Sequence, residues 1–150
     1  MRIETVESFT IDANILFYSV DAQEPQKRKI AKGIVDSYLE NGEHVILLQV
    51  LGELANAVRN KKTDESTLAD AEDMIKQFLT IENIKKIHYG SGTLADAMKL
   101  SSLHNKPFWD CVIAATMIEN GVRVIYTENA SDFSGISGIE AVNPFRKSKK

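Results

Sequence analysis

Apolar residues along this chain fall into short continuous runs and into longer stretches spaced as one face of a helix. Ser8 to Ile11 has the β-branched and aromatic content of a strand, and Asp12, a helix N-cap residue type, follows at once before the apolar run Ile15, Leu16, Phe17. Asp12 is therefore expected at the C-terminal end of a strand. After the turn-like stretch Asp21 to Pro25, Ile30, Ile34, Val35 and Leu39 recur at helical spacing, predicting a helix from about Gln26 to Glu40 that Asn41-Gly42 ends. His44 to Leu48 reads as a short strand, and its unbroken apolar run suits a strand buried on both faces.

From Val50 to about Lys61, Leu51, Leu54, Ala55 and Val58 predict a helix with Glu53 near its start and off the apolar stripe. A second helix is expected from Glu65 to Leu79, opened by Thr63 or Asp64, and then a strand from Ile84 to His88 that Lys85 and Lys86 interrupt. Ser91 or Thr93 is the expected cap of a helix carrying Leu94, Ala97, Met98 and Leu103. Pro107 breaks the chain before Trp109-Asp110, and Val112, Ala114, Ala115 and Ile118 form the next helix until Asn120-Gly121. Val122 to Tyr126 is the clearest strand, and Ile139 to Val142 a short edge strand. Strands alternating with helices imply βαβ units and a parallel sheet covered on both sides. The expected class is α/β, a three-layer α/β/α arrangement around a central, mainly parallel sheet. Ligands in such sheets bind outside the carboxyl ends of the strands, so acids there carry the most weight.

Length and composition narrow the reading. At 150 residues and 43% apolar content, one domain is expected, with a core over about residues 8–144 and a basic tail over 146–150. No apolar run approaches the roughly 18 residues of a membrane span, and the N-terminus has acids where a signal peptide would be basic and apolar, so no membrane contact and a cytoplasmic location are expected. The lone Cys111 excludes an intramolecular disulfide and a thiolate zinc cluster. A formal charge of -3 argues against a protein that coats nucleic acid by bulk electrostatics, but it leaves room for local basic patches. Lys27, Arg28 and Lys29 form one such cluster, Arg59, Lys61 and Lys62 another, and the tail from Arg146 to Lys150 a third. Each is equally explained as a solvated helix face or a solubilising tail.

The candidate chemistry lies in acids at equivalent structural places: Asp12 after the first strand, Glu53 after the second, Asp110 at a helix start, and Asp132 shortly after Val122 to Tyr126. Singly, Asp12 and Asp110 are explained as helix caps, Glu53 by the helix dipole, and Asp132 as the start of a turn. Jointly, carboxylates a few ångströms apart repel by about 4 kcal/mol per pair at an effective dielectric near 20, which a divalent cation removes. Oxygen ligands without His or Cys suit Mg²⁺ or Mn²⁺. His44, His88 and His104 fall outside these segments and read as surface or strand-edge residues. Met74 and Met98 read as core residues. Cys111 and Ser131 lack a neighbouring base in sequence and are weak nucleophile candidates. A phosphate-accepting receiver domain would need an acceptor Asp ending a middle strand and a Lys after the last, and neither is found at Leu48 or Thr127.

The segments Ile11-Asp12-Ala13-Asn14, Val50-Leu51-Gly52-Glu53-Leu54, Trp109-Asp110-Cys111-Val112-Ile113-Ala114-Ala115 and Tyr126-Thr127-Glu128-Asn129-Ala130-Ser131-Asp132-Phe133 carry a family resemblance. In this order and spacing the chain resembles the PIN domain family, and in length and layout the VapC-type toxins of type II toxin-antitoxin pairs. The resemblance implies metal-dependent hydrolysis of RNA phosphodiester bonds, with Asp12, Glu53 and Asp110 binding the metal, Asn14 orienting Asp12, and Thr127 supporting the site. It also implies an antitoxin protein partner and a homodimer. Where many relatives place an aspartate, this chain has Asn129, leaving Asp132 or a water to complete the shell, or a single tightly bound metal. The competing reading is a catalytically silent PIN-like module that keeps only RNA or protein contacts.

Overall fold

The computed structural model describes residues 7–40, 44–61 and 63–146. The Asn41-Gly42 helix stop, Lys62 of the second basic cluster and residues 147–150 of the tail lie outside the described residues. β1 (Phe9–Ile11) leads through Asp12 into the short helix α1 (Ala13–Tyr18), and α2 spans Pro25–Glu40. Then follow β2 (Val45–Leu47), α3 (Leu48–Asn60), α4 (Glu65–Thr80) and β3 (Lys85–Ile87). The chain continues through α5 (Ser91–His104), α6 (Phe108–Glu119), β4 (Val124–Tyr126), a 3₁₀ turn (Ala130–Asp132) and β5 (Glu140–Val142).

Every strand pairing is parallel, as the alternation of elements predicts. One ladder runs β1-β4-β5, with Phe9 opposite Val124 and Val124 opposite Glu140. The other pairs β2 with β3, Val45 opposite Lys85. β2 is buried at every position, the mark of a strand covered on both faces of an α/β sheet. Between the ladders stands His44: its Nδ1 accepts a 3.3 Å hydrogen bond from the Phe9 N–H, and its ring stacks on Tyr38 at 4.9 Å. His44 is therefore buried immediately before β2, the strand-edge alternative of its reading and not the surface one. The helices carry the apolar stripes that close over the sheet. α3 buries Val50, Leu51, Leu54 and Val58, and α6 buries an unbroken run from Cys111 to Met117, so the middle of α6 is enclosed while its ends reach the surface.

Some local expectations change, and one alternative is decided. α3 begins at Leu48, directly after β2, so Glu53 is its sixth residue and not in its first turn. The first-turn dipole explanation for that acid no longer applies. Asp64, rather than Thr63, caps α4, accepting from the Thr67 N–H at 2.7 Å. Neither Ser91 nor Thr93 is the N-cap of α5; Gly90 holds that position and Thr93, one turn in, accepts from its N–H at 3.0 Å. Met98 is 61% exposed and Leu103 77%, against the core roles read from their spacing. The small residues Thr93 and Ala97 form the buried face of α5, which lets it lie close against α6 and turns the longer side chains outward. Met74 does pack against the core.

Candidate active site

Parallel pairing puts the carboxyl ends of β1 and β4 at one rim. Asp12 continues β1 by donating its N–H to the Tyr126 carbonyl at 2.9 Å, and Thr127 continues β4 by donating its own to Val142 at 2.9 Å. Asp12 is 5% exposed. Its Oδ1 accepts from the Ala13 N–H at 2.8 Å, the capping bond expected of it, and its Oδ2 accepts from the Thr127 hydroxyl at 2.8 Å. Thr127 Oγ1 in turn accepts from Asn14 Nδ2 at 3.3 Å and from the Asn129 N–H at 3.1 Å. Asn14 thus orients Asp12 through Thr127 rather than by touching it. Its Oδ1 also accepts from the Glu128 N–H at 3.1 Å, which fixes the loop after β4.

Glu53 approaches from α3. Gln49, one turn earlier, donates Nε2 to Glu53 Oε1 at 2.9 Å and to the Trp109 carbonyl at 3.1 Å. That amide ties α3 to the start of α6, where Asp110 sits in the first turn without being the cap, since Pro107 holds that position. Asp12, Asn14, Glu53, Asp110 and Asn129 line one cavity of about 260 Å³, together with Lys61. Asp132 is outside its wall and acts on the site through its charge beside Asp110.

The acids sense one another. Burial first, then the charges of Asp12, Asp132 and Glu53 and the hydrogen bond with Asp132, push the Asp110 carboxyl up to about 7. Burial raises Asp12 against the hydrogen bonds from Thr127 and Ala13, with a further push from Asp132. Burial also raises Glu53, opposed by Gln49 and aided by the charge of Asp12. Trp109 and Leu48, near these acids in the sequence, are 54% and 38% exposed. The apolar side chains of the cavity wall include Phe17 and Ala57.

Such uncompensated negative charge, offered entirely by oxygen donors, fits a hard divalent cation. Among the described residues no group of three or more His, Cys, Asp or Glu side chains is already gathered to hold an ion. The carboxylates therefore face one another at coulombic range rather than as a closed ligand set. Glu128, next to Asn129, is otherwise engaged: although burial pushes it up, hydrogen bonds from Lys27 and Tyr18 hold it below the usual carboxylate range. Lys27 Nζ lies 2.6 Å from Glu128 and 4.7 Å from the centre of the Tyr18 ring. Lys61, by contrast, is exposed at the cavity rim, its Nζ 4.6 Å from the centre of the Phe17 ring. Cys111 is buried, and burial followed by the charge of Asp110 pushes its thiol up, which disfavours the thiolate. Gln49 gave no signal in the sequence, because its second partner is 60 residues away.

The sequence matches the PIN domain family over residues 9–138. No curated protein matches it. Solved structures with the same fold include a toxin-antitoxin complex from Klebsiella pneumoniae, at TM-score 0.64 and 18% identity, covering 93% of this chain and 100% of that one. VapC20 from Mycobacterium tuberculosis, described as a Sarcin-Ricin loop cleaving toxin, aligns at TM-score 0.62 and 16% identity over 79% of this chain and 87% of its own. VapBC2 from Rickettsia felis, bound to a DNA fragment from its promoter, aligns at TM-score 0.63 and 17% identity over 90% and 97%.

Proposed function

The chain belongs to the PIN domain family, and from that premise we propose that it is a Mg²⁺- or Mn²⁺-dependent endoribonuclease and the toxin of a type II toxin-antitoxin pair. The observation that carries this reading is the convergence of Asp12, Glu53 and Asp110 on one cavity, with the charge of Asp132 felt by Asp110. A divalent cation held by Asp12 and Asp110, with Glu53 beside it, would provide a nucleophilic water at neutral pH and offset the charge building on the phosphate oxygens. The chain's own residues prepare that place. Thr127 and the Ala13 N–H fix both oxygens of Asp12, and Gln49 fixes Glu53. Asn129, a neutral side chain in the cavity wall, adds no charge, which leaves Asp132 as the fourth acid through its charge on Asp110. Lys61 at the rim would hold a neighbouring phosphate without reading sequence. No side chain is required as nucleophile.

The antitoxin partner is supported by the complexes among the structures of like fold. A homodimer is supported by the apolar surface of α5 and α6, where Met98, Leu103 and Ile118 stand exposed. No helix among the described residues is long and apolar enough to cross a membrane, in keeping with a nuclease acting in the cytoplasm. Incubating purified protein with RNA and Mn²⁺ tests the activity: cleavage is expected, and it should vanish with chelator and in Asp12→Asn. RNA left intact by the wild type in both metals sinks the reading. The open spacing of the acids and the neutral Asn129 favour the silent binding module instead. Calorimetry separates the two, since only the nuclease requires Mn²⁺ binding that depends on Asp12 and Asp110.

A further inference from the structure

A second cleft adjoins the acid cavity and shares Glu53 with it. It is about 500 Å³, and its walls come from Gln49, Gly52, Asn56, Tyr89 and Trp109. Trp109 is the chain's only tryptophan and directly precedes Asp110, yet it is 54% exposed. A large aromatic left half in water beside a reaction centre calls for explanation, because burying it elsewhere would stabilise the fold. The Tyr89 ring lies 6.0 Å from it at an interplanar angle of 55°, and Phe108 braces its other side at 5.2 Å. Two amides, Gln49 and Asn56, add hydrogen-bonding groups to the walls. Gln49 spends its Nε2 on Glu53 and the Trp109 carbonyl, while its buried Oε1 has no hydrogen-bond partner. Rotation about its terminal torsion, which has broad minima, would offer that acceptor to a donor entering the cleft.

We propose that this cleft receives one unstacked nucleobase of the single strand whose scissile phosphate lies at the acids. The assignment rests on the nuclease reading for the neighbouring phosphate. Aromatic faces with amide groups beside them match a base, which presents a π-face and a polar edge. Among the described residues Glu53 is the one charged side chain of the wall, and it repels a second phosphate but not a neutral base. Glu53 also lines both spaces, so a strand bound at the acids enters the cleft without leaving the surface. Trp109 and Tyr89 are then specificity-determining residues, and Gln49 couples occupancy of the cleft to the position of Glu53.

Trp109 reports on the proposal itself. With Asp12→Asn protein and Mg²⁺, so that strands stay intact, a mixed-sequence RNA octamer should quench Trp109 emission, and an abasic octamer carrying the same phosphates should not. Tyr89→Ala should weaken octamer binding about tenfold and leave abasic binding unchanged. On a pooled RNA substrate, Tyr89→Ala in the otherwise wild-type protein should flatten any base preference next to the cut at least fivefold. Equal quenching by both octamers, or none by either, overturns the proposal, as does quenching by an amphipathic helical peptide alone, which would make the cleft a protein-docking face. Cleavage without base-dependent quenching removes the base cleft and spares the nuclease. Base-dependent quenching in a protein that cuts no RNA does the reverse.

Discussion

Replacing Asp110 with Asn should stabilise the metal-free protein while destroying its metal site. Asp110 rises from its ordinary 3.8 to about 7, chiefly through burial and then through the charges of Asp12, Asp132 and Glu53. At about 1.36 kcal/mol per pH unit, the full cost of ionising it in the fold is roughly 4 kcal/mol. The carboxyl is only about half-buried, and solvent screening reduces this to about 1–2 kcal/mol of recoverable stability. Asn has nearly the same shape and carries no charge for Asp12, Asp132 and Glu53 to repel. For a chain of this length the gain corresponds to a Tm rise of about 2–8 °C. The raised value means that the folded protein binds more protons than the unfolded chain between pH 3.8 and about 7. Wild-type stability should therefore fall as pH climbs through that window and level off above it. The Asn variant should lose much of that slope, so its advantage is largest near pH 8 and vanishes toward pH 4. Thermal melts in chelator across this range measure both quantities. Adding Mn²⁺ should then raise the wild-type Tm and leave the variant nearly unmoved. A variant that melts lower than wild type at pH 8, or with an unchanged pH slope, would refute the idea that these carboxylates repel one another.

Asp12→Asn should lower RNA cleavage at least a hundredfold with little change in the circular dichroism spectrum, measured on a labelled RNA with Mn²⁺. Thr127→Val keeps the shape of a buried residue but removes the hydroxyl that bonds Asp12, Asn14 and Asn129. Metal affinity, read by calorimetry, should fall about 10–100-fold, and chemical denaturation should show a loss of about 1–3 kcal/mol. Leu103→Asp places a charge at a site already 77% exposed, so it should leave the melt of the protomer unchanged while shifting sedimentation from dimer to monomer. An unaltered sedimentation profile would remove α5 from the dimer surface.

What was legible in the sequence is what local chemistry decides. Asp12 announces itself because a strand, a cap residue and an apolar helical run meet there, and β1, Asp12 and α1 follow in that order. The parallel sheet was legible from the alternation of periods, and Asp12 and Asp110 from their places at element ends, whereas Glu53 lies more than a turn inside α3. Side chains whose roles depend on a distant partner were not. The periodicity of α5 is the same whether Ala97 or Met98 faces inward, and only the close approach of α6 selects the small residue. Gln49 looks like any polar helix residue until α6 brings the Trp109 carbonyl to it. His44 likewise takes its place from the gap between β1 and β2, which no local pattern encodes.

That gap divides the rim that carries the acids. Asp12 and Thr127 ride on the β1-β4-β5 ladder, whereas Glu53 follows β2 on the other side, and a ring nitrogen links the two where a backbone ladder would otherwise run. A ladder is a rigid coupling, since sliding it breaks a row of bonds together. Between β1 and β2 the described residues are joined instead by side chains, His44 against Phe9 and Tyr38. The two sides of the acid rim are thus held together by packing, while Asp12 takes both of its side-chain hydrogen bonds from its own half, from Ala13 and Thr127.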